Sequence, residues 1–227
     1  MAYGRSSTGL LDLAANASVN TLNFLFTAAD KKLDETLTEL KNGHPRSFQF
    51  PDSLSASYSS IHEDFTSYNV AARIEGTDPV LKNEYIVHTA HLDHTGVGKP
   101  VDGDSIYNGA HDNASGVASL LEIGRLYKSP GVNTRRSILI VMVTGEEMGL
   151  LGSAYFAANP TVPKSSIVAN INTDMPTVIA PLLSIVPLGA EHSSLINNVE
   201  FAATTLRLDI EEDPEPSENR FIRSDQY

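Results

Sequence analysis

The sequence predicts an α/β fold: a doubly wound, mostly parallel sheet with helices on both faces. Three observations carry that expectation. Residues 137–143 (Ser-Ile-Leu-Ile-Val-Met-Val) and 166–173 are apolar runs of strand length, and the first reads as a strand buried on both faces. Helical stretches over 117–127 and 151–158 alternate with these runs, and the order strand–helix–strand–helix–strand calls for parallel pairing with covered faces. Polar residues stand where the strands should end: His91-Leu92-Asp93, Asp112-Asn113, Glu146-Glu147 and Asp174. Ligand sites of open α/β sheets lie at the carboxyl ends of strands.

Composition bounds the possibilities. The chain has 227 residues, 41% hydrophobic and 19% charged, enough for one α/β domain and a small appendage. Its 28 acidic and 16 basic side chains give a formal net charge of −12, which argues against nucleic acid or an anionic membrane as partner. Cysteine is absent, so any metal must be held by His, Asp and Glu. No apolar run is long enough for membrane insertion. The N-terminus makes a poor signal peptide, and both ends read as cut, so a piece of a longer protein is expected.

Taken in order, residues 8–41 read as helical, with Leu33, Leu37 and Leu40 on one side and Gly43 as the stop. Alternation over 54–58 and 65–74 suggests two antiparallel strands. Thr77-Asp78-Pro79 is a turn, and a strand over 84–89 leads to His91. Gly96, Gly98, Pro100, Gly103 and Gly109 mark residues 95–109 as a long loop, a feature that is usually functional. The helix over 117–127 presents Leu120, Leu121 and Ile123. After the Glu-Glu turn, the helix over 151–158 stops before Pro160. The strand over 166–173 ends at Asp174, a further strand is expected over 182–187, a helix over 192–205, and an acidic loop over 211–218.

Each polar motif has a bland explanation by itself. A lone His is usually a satisfied surface or core residue, Asp112 could cap the following helix, Asp174 could close a strand end, and Glu146-Glu147 could be a solvated turn. Four together along one α/β chain point to a site. His-x-Asp puts both side chains on one face of an extended segment, so Asp93 can orient His91 while the other ring nitrogen meets a metal. Neighbours on an extended backbone point apart, so Glu146 and Glu147 should divide the work, one on metal and one on protons.

Thr89-Ala90-His91-Leu92-Asp93, Gly109 to Gly116, Thr144 to Ser153 and Asn172-Thr173-Asp174-Met175 resemble the motifs of the co-catalytic di-zinc aminopeptidases, a family that also includes glutamate carboxypeptidase and the transferrin-receptor ectodomain. The resemblance covers about residues 68–227. It implies a catalytic domain over 66–227, C-terminally incomplete, preceded over 1–65 by the end of a lid or protease-associated region. It also implies that His91 and Asp174 bind one Zn2+, that Glu147 binds the other, and that Asp112 bridges the two. Glu146 would be the general base and Asp93 would stand behind His91. The oxygen and nitrogen ligand set also suits cobalt or manganese.

The implied function is a metallo-aminopeptidase that hydrolyses N-terminal peptide bonds of peptides or proteins through a di-zinc-activated water, in a secreted or periplasmic location. The alternatives are a glutaminyl-cyclase-like acyltransferase and a non-catalytic receptor-ectodomain-like module. The sequence departs from the family at its end. Ser224-Asp225-Gln226 stands where the family reads Ser-Asp-His, and the family's last His ligand lies beyond Tyr227. His192 is in the wrong place to replace it, and His94 and His111 receive no ligand role, although His94 could lie near the site.

Overall fold

The computed structural model describes residues 17–49, 63–176 and 179–227, with alternate residues between 51 and 61. Residues 5–65 and 66–227 belong to different compact units.

The first unit contains α1 (Val19–Ala28) and α2 (Leu33–Lys41). The helical stretch expected over 8–41 is, where it is described, two helices. Asp30 takes the left-handed conformation (φ 51°), while the N–H groups of Asp30 and Lys31 return to the Thr27 and Phe26 carbonyls. That pair of bonds closes α1 and turns the chain before α2 can begin. Gly43 ends α2 in the same way at φ 75°, with His44 N–H on the Glu39 carbonyl, as the sequence indicates. Of the strand expected over 54–58, only residues 55 and 57 are described, and neither is in a strand; the rest lies outside the described residues.

The second unit is built on a four-stranded sheet in the order β1-β5-β2-β6. Its strands are β1 (Val70–Ile74), β2 (Tyr85–His91), β5 (Ser137–Val143) and β6 (Ile167–Asn172). β2, β5 and β6 are parallel, and β1 runs antiparallel on β5. The crossover helices are α3 (Ser115–Tyr127) and α4 (Leu151–Ala158), each close to its expected span.

Alternation along the strands assigns the two faces. Tyr85, Val87, Leu139, Val141 and Val143 form one core with Phe156 of α4. Ala90, Ile138, Ile140 and Leu120 of α3 form the other, with Val117 and Tyr127 against it. The sheet is thus covered on both faces, an α/β fold. Each fully buried aliphatic side chain contributes roughly 1.5–3 kcal/mol to it.

Residues 95–109 differ from the expected loop. They form a hairpin, β3 (Gly96–Val101) and β4 (Asp104–Tyr107), reversed at Asp102-Gly103 with both residues at positive φ (51° and 88°). Asp-Gly is among the strongest two-residue hairpin signals, and here the scattered glycines masked it. Farther on, β7 (Ser184–Ile185) pairs in parallel with β8 (Asp209–Ile210), flanking α5 (Leu195–Leu206). The strand expected over 182–187 is thus reduced to two residues. Among the described residues, no helix is long and apolar enough to cross a membrane.

The topology fixes where a site can form. From β2 the chain crosses to β5 on one side, and from β5 it passes back to β6 on the other side of β2. The crevice at that reversal opens at the carboxyl ends of β2, β5 and β6.

Candidate metal centre

His91 is the last residue of β2 and only 1% exposed. Its Nδ1–H donates to the Asp93 backbone carbonyl at 3.1 Å. That bond sets the tautomer and leaves the Nε2 lone pair facing the crevice. There Nε2 lies 3.1 Å from Asp112 Oδ1 and 3.3 Å from Asp174 Oδ1. Burial works against a charged ring, but the hydrogen bond and charge of Asp174, the charge of Glu146 and the Asp93 carbonyl outweigh it and push the His91 pKa up to about 9.

Asp93 supports the site in a way the sequence does not reveal. It holds His91 through its backbone, and its carboxylate accepts the backbone N–H groups of Glu146 (3.1 Å) and Glu147 (3.3 Å). One residue thereby joins the end of β2 to the turn after β5. The Glu146 carbonyl closes that turn by accepting Gly149 and Leu150 N–H at 2.8 and 2.9 Å.

Asp112 sits in an irregular turn, Ala110–Ala114, between the hairpin and α3, where Asp112 and Asn113 leave helical geometry. Asp112 is not the helix cap. Asn113 Oδ1 takes the Gly116 N–H at 3.0 Å, and its amide also bridges to the Thr173 carbonyl (3.0 Å) and the Met175 N–H (3.2 Å). With Asn113 buried and holding α3 against the end of β6, the Asp112 carboxylate is free to face the crevice. The approach is tight: a Cβ on Gly116 would lie 2.2 Å from Asn113 Oδ1 and 2.5 Å from the Thr173 carbonyl.

Asp174, just past β6, accepts the Ser224 hydroxyl at 2.8 Å on the oxygen that does not face His91. Burial raises its pKa, but the hydrogen bonds from His91 and Ser224 and the charges of His91 and His111 hold it below the ordinary carboxylate value. Asn172 in turn donates to Ser224 Oγ and Gln226 Oε1, both at 3.0 Å, so the segment 224–226 packs onto the end of β6.

Asp225 is 6% exposed, and burial raises its pKa against the pull of the Ser153 hydroxyl and the charge of His91. Burial likewise pushes Glu146 up to about 7, His91 pulling it down and Asp225, Asp174 and Glu147 adding to the rise.

Among the described residues, four of the six sequence-predicted residues come together with His94 in two groups of ligating atoms that share Asp112: His91, Asp112 and Asp174 in one, and His94, Asp112 and Glu147 in the other. Asp93 and Glu146 belong to neither group. His94, to which the sequence assigns no role, has Nδ1 2.7 Å from Glu147 Oε1 and 3.9 Å from Asp112 Oδ2. His111 turns away and donates to the Met175 carbonyl at 3.0 Å. His192 stacks edge-on against Phe221 and belongs to neither group. The sequence missed Ser224, Asn113 and the side-chain role of Asp93. Their functions depend on hydrogen bonds across 50 to 62 residues of chain, which no local pattern marks.

The profile of peptidase family M28 matches residues 69–227. Leupeptin-inactivating enzyme 1 of Streptomyces exfoliatus is 32% identical over 111 residues, 48% of this chain and 23% of that protein. Leucine aminopeptidase 1 of Trichophyton equinum is 31% identical over 123 residues, 51% of this chain and 31% of that one. Among solved structures, the glutaminyl cyclase of Porphyromonas gingivalis superposes with a TM-score of 0.50 at 25% identity, covering 64% of this chain and 54% of that one. The chain spans about a quarter to a third of the length of those two curated relatives. With the family profile matching the whole sheet and every residue of both ligand groups, the chain belongs to peptidase family M28.

Proposed function

We propose that this chain carries the metal-binding core of a zinc-dependent exopeptidase, an aminopeptidase that hydrolyses N-terminal peptide bonds. The observation that carries the reading is the pair of ligand groups sharing Asp112, with Glu146 beside them at the end of β5. The donor set fits zinc: imidazole nitrogens and carboxylate oxygens, with the His91 tautomer already fixed by Asp93. His91 and Asp174 would hold one ion, Glu147 the other, and Asp112 both. Bound there, zinc supplies Lewis acidity that brings the pKa of water toward neutral and polarises a carbonyl.

The protein's own contribution is proton handling. Glu146, at a pKa of about 7, is matched to neutral operating conditions. It takes the proton of the attacking water as the C–O bond forms. It then delivers that proton to the amine nitrogen as the C–N bond breaks. Asp93 holds the Glu146 backbone so that its side chain keeps that post.

Structural likeness to a glutaminyl cyclase supports a second reading, in which the same site closes an N-terminal glutaminyl residue on itself. Elemental analysis followed by parallel assays on aminoacyl-anilides and on a glutaminyl peptide separates the two. Zinc-dependent release of the arylamine supports the peptidase. Cyclisation with loss of ammonia, and no release of arylamine, supports the acyltransferase. A chain that binds no zinc and turns over neither substrate refutes both and favours a non-catalytic module.

A further inference from the structure

We propose that Asn69 is a positioning residue for the metal centre: its side-chain amide clasps both ends of the loop that carries Glu146 and Glu147. The inference rests on the reading that these two carboxylates serve as base and ligand, and adds the residue that sets where their loop begins and ends.

Asn69 lies one residue ahead of β1. The antiparallel register pairs Val70 with Met142, so Asn69 stands level with Val143, the last residue of β5. There its side chain takes over from the backbone ladder. Asn69 Oδ1 accepts the Thr144 N–H at 3.0 Å, and Asn69 Nδ2 donates to the Gly152 carbonyl at 2.8 Å. Thr144 is the first residue after β5, and Gly152 belongs to the first turn of α4. One amide therefore holds the entry and the exit of the loop over 145–151. Ser67 Oγ, 2.8 Å from Thr144 Oγ1, adds a second tie at the entry.

The two ends meet closely. A Cβ on Gly152 would lie 2.2 Å from the Thr144 carbonyl oxygen and 2.7 Å from Asn69 Oδ1. Inside the loop, Gly145, Leu150 and Gly149 all hold positive φ (69°, 62° and 104°). A leucine in the left-handed region persists only where its surroundings fix it. Asp93 fixes the middle of the loop through the Glu146 and Glu147 N–H groups, and Asn69 fixes its ends. The residue type matters, because an amide accepts and donates at once. A carboxylate there would still accept from Thr144 but would face the Gly152 carbonyl with no proton to give.

The test is amide hydrogen exchange on the metal-free 227-residue chain, with Asn69→Ala and Asn69→Asp alongside. In Asn69→Ala, the Glu146 and Glu147 amides should exchange at least about 10-fold faster, the effect of one or two lost hydrogen bonds on a local opening. Amides at the centre of β5 should change less than about 3-fold. In Asn69→Asp, Thr144 should keep its protection while Glu146 and Glu147 lose theirs. On the zinc-loaded chain with an aminoacyl-anilide, Asn69→Ala should lower kcat by about 10–100-fold and leave KM nearly unchanged, as misplacement of a reacting group does.

Unchanged protection at Glu146 and Glu147 overturns the proposal. So does a loss spread evenly over β5, or one confined to Thr144 and β1, which would make Asn69 only the end of the β1–β5 ladder. The unsubstituted chain gives a check that needs no variant to fold: an Asn69 side-chain NH2 that exchanges as fast as those of exposed asparagines also overturns it. If the unsubstituted chain binds no zinc, the metallopeptidase reading fails, and the exchange data still decide whether Asn69 sets the loop.

Discussion

Replacing Asp93 by alanine should loosen the Glu146-Glu147 turn without removing any atom that faces a metal. The Asp93 carboxylate accepts two backbone N–H bonds, at 3.1 and 3.3 Å. A hydrogen bond to a charged group contributes about 1.5–3 kcal/mol. The bond to Glu147 is the longer and more exposed, so the pair together should contribute about 2–3 kcal/mol rather than the sum of maxima. For a domain of this size, about 1 kcal/mol moves the melting temperature by roughly 2–4 °C, so Asp93→Ala should lower it by about 5–10 °C. Asp93→Asn keeps one acceptor oxygen and should lose about half as much.

Hydrogen exchange separates this role from general destabilisation. The Glu146 and Glu147 amides should lose protection well before those of β5. In an active form, kcat should fall more than zinc affinity, because Glu146 is displaced while His91 keeps its bond to the Asp93 carbonyl. A melting temperature within about 1 °C of the original, with protection at both amides unchanged, would refute the reasoning.

Other perturbations have equally definite outcomes. Glu146→Gln should keep its zinc stoichiometry and lose about two to four orders of magnitude in kcat; a variant with more than half the original rate would remove Glu146 as the base. Gly116→Ala should destabilise the domain by at least about 1–3 kcal/mol in thermal unfolding, since its Cβ meets Asn113 Oδ1 and the Thr173 carbonyl at 2.2 and 2.5 Å. His91, with its pKa raised to about 9, must lose a proton to bind metal, so zinc affinity should climb with pH up to about 9 and then level. Calorimetry at pH 7 in two buffers of different ionisation enthalpy should show close to one proton released from His91; none released would contradict the raised pKa. By the same sign, the stability His91 confers on the metal-free chain is complete below its unfolded value and disappears as pH rises through about 9.

The sheet and most of the site were legible in the sequence because both are written in local chemistry. Residues 137–143 read as a strand buried on two faces, and the carboxylates and His91 stand within a few residues of expected strand ends. Strand order, by contrast, is set by crossover handedness and packing. What only the tertiary structure decided involves partners far apart in the chain. Asp112 is freed for the crevice because Asn113 takes the capping bond and ties α3 to Thr173 and Met175. Asp93 serves through its carboxylate on a turn 53 residues away. Ser224 steadies Asp174. The sequence leaves His94 as a residue that could lie near the site, and only the pairing of β2 with β5 brings its Nδ1 to 2.7 Å from Glu147 Oε1. Residue type and spacing determine which groups are available for chemistry; the distance between two ligand atoms is a property of the packed sheet, and no run of neighbouring residues contains it.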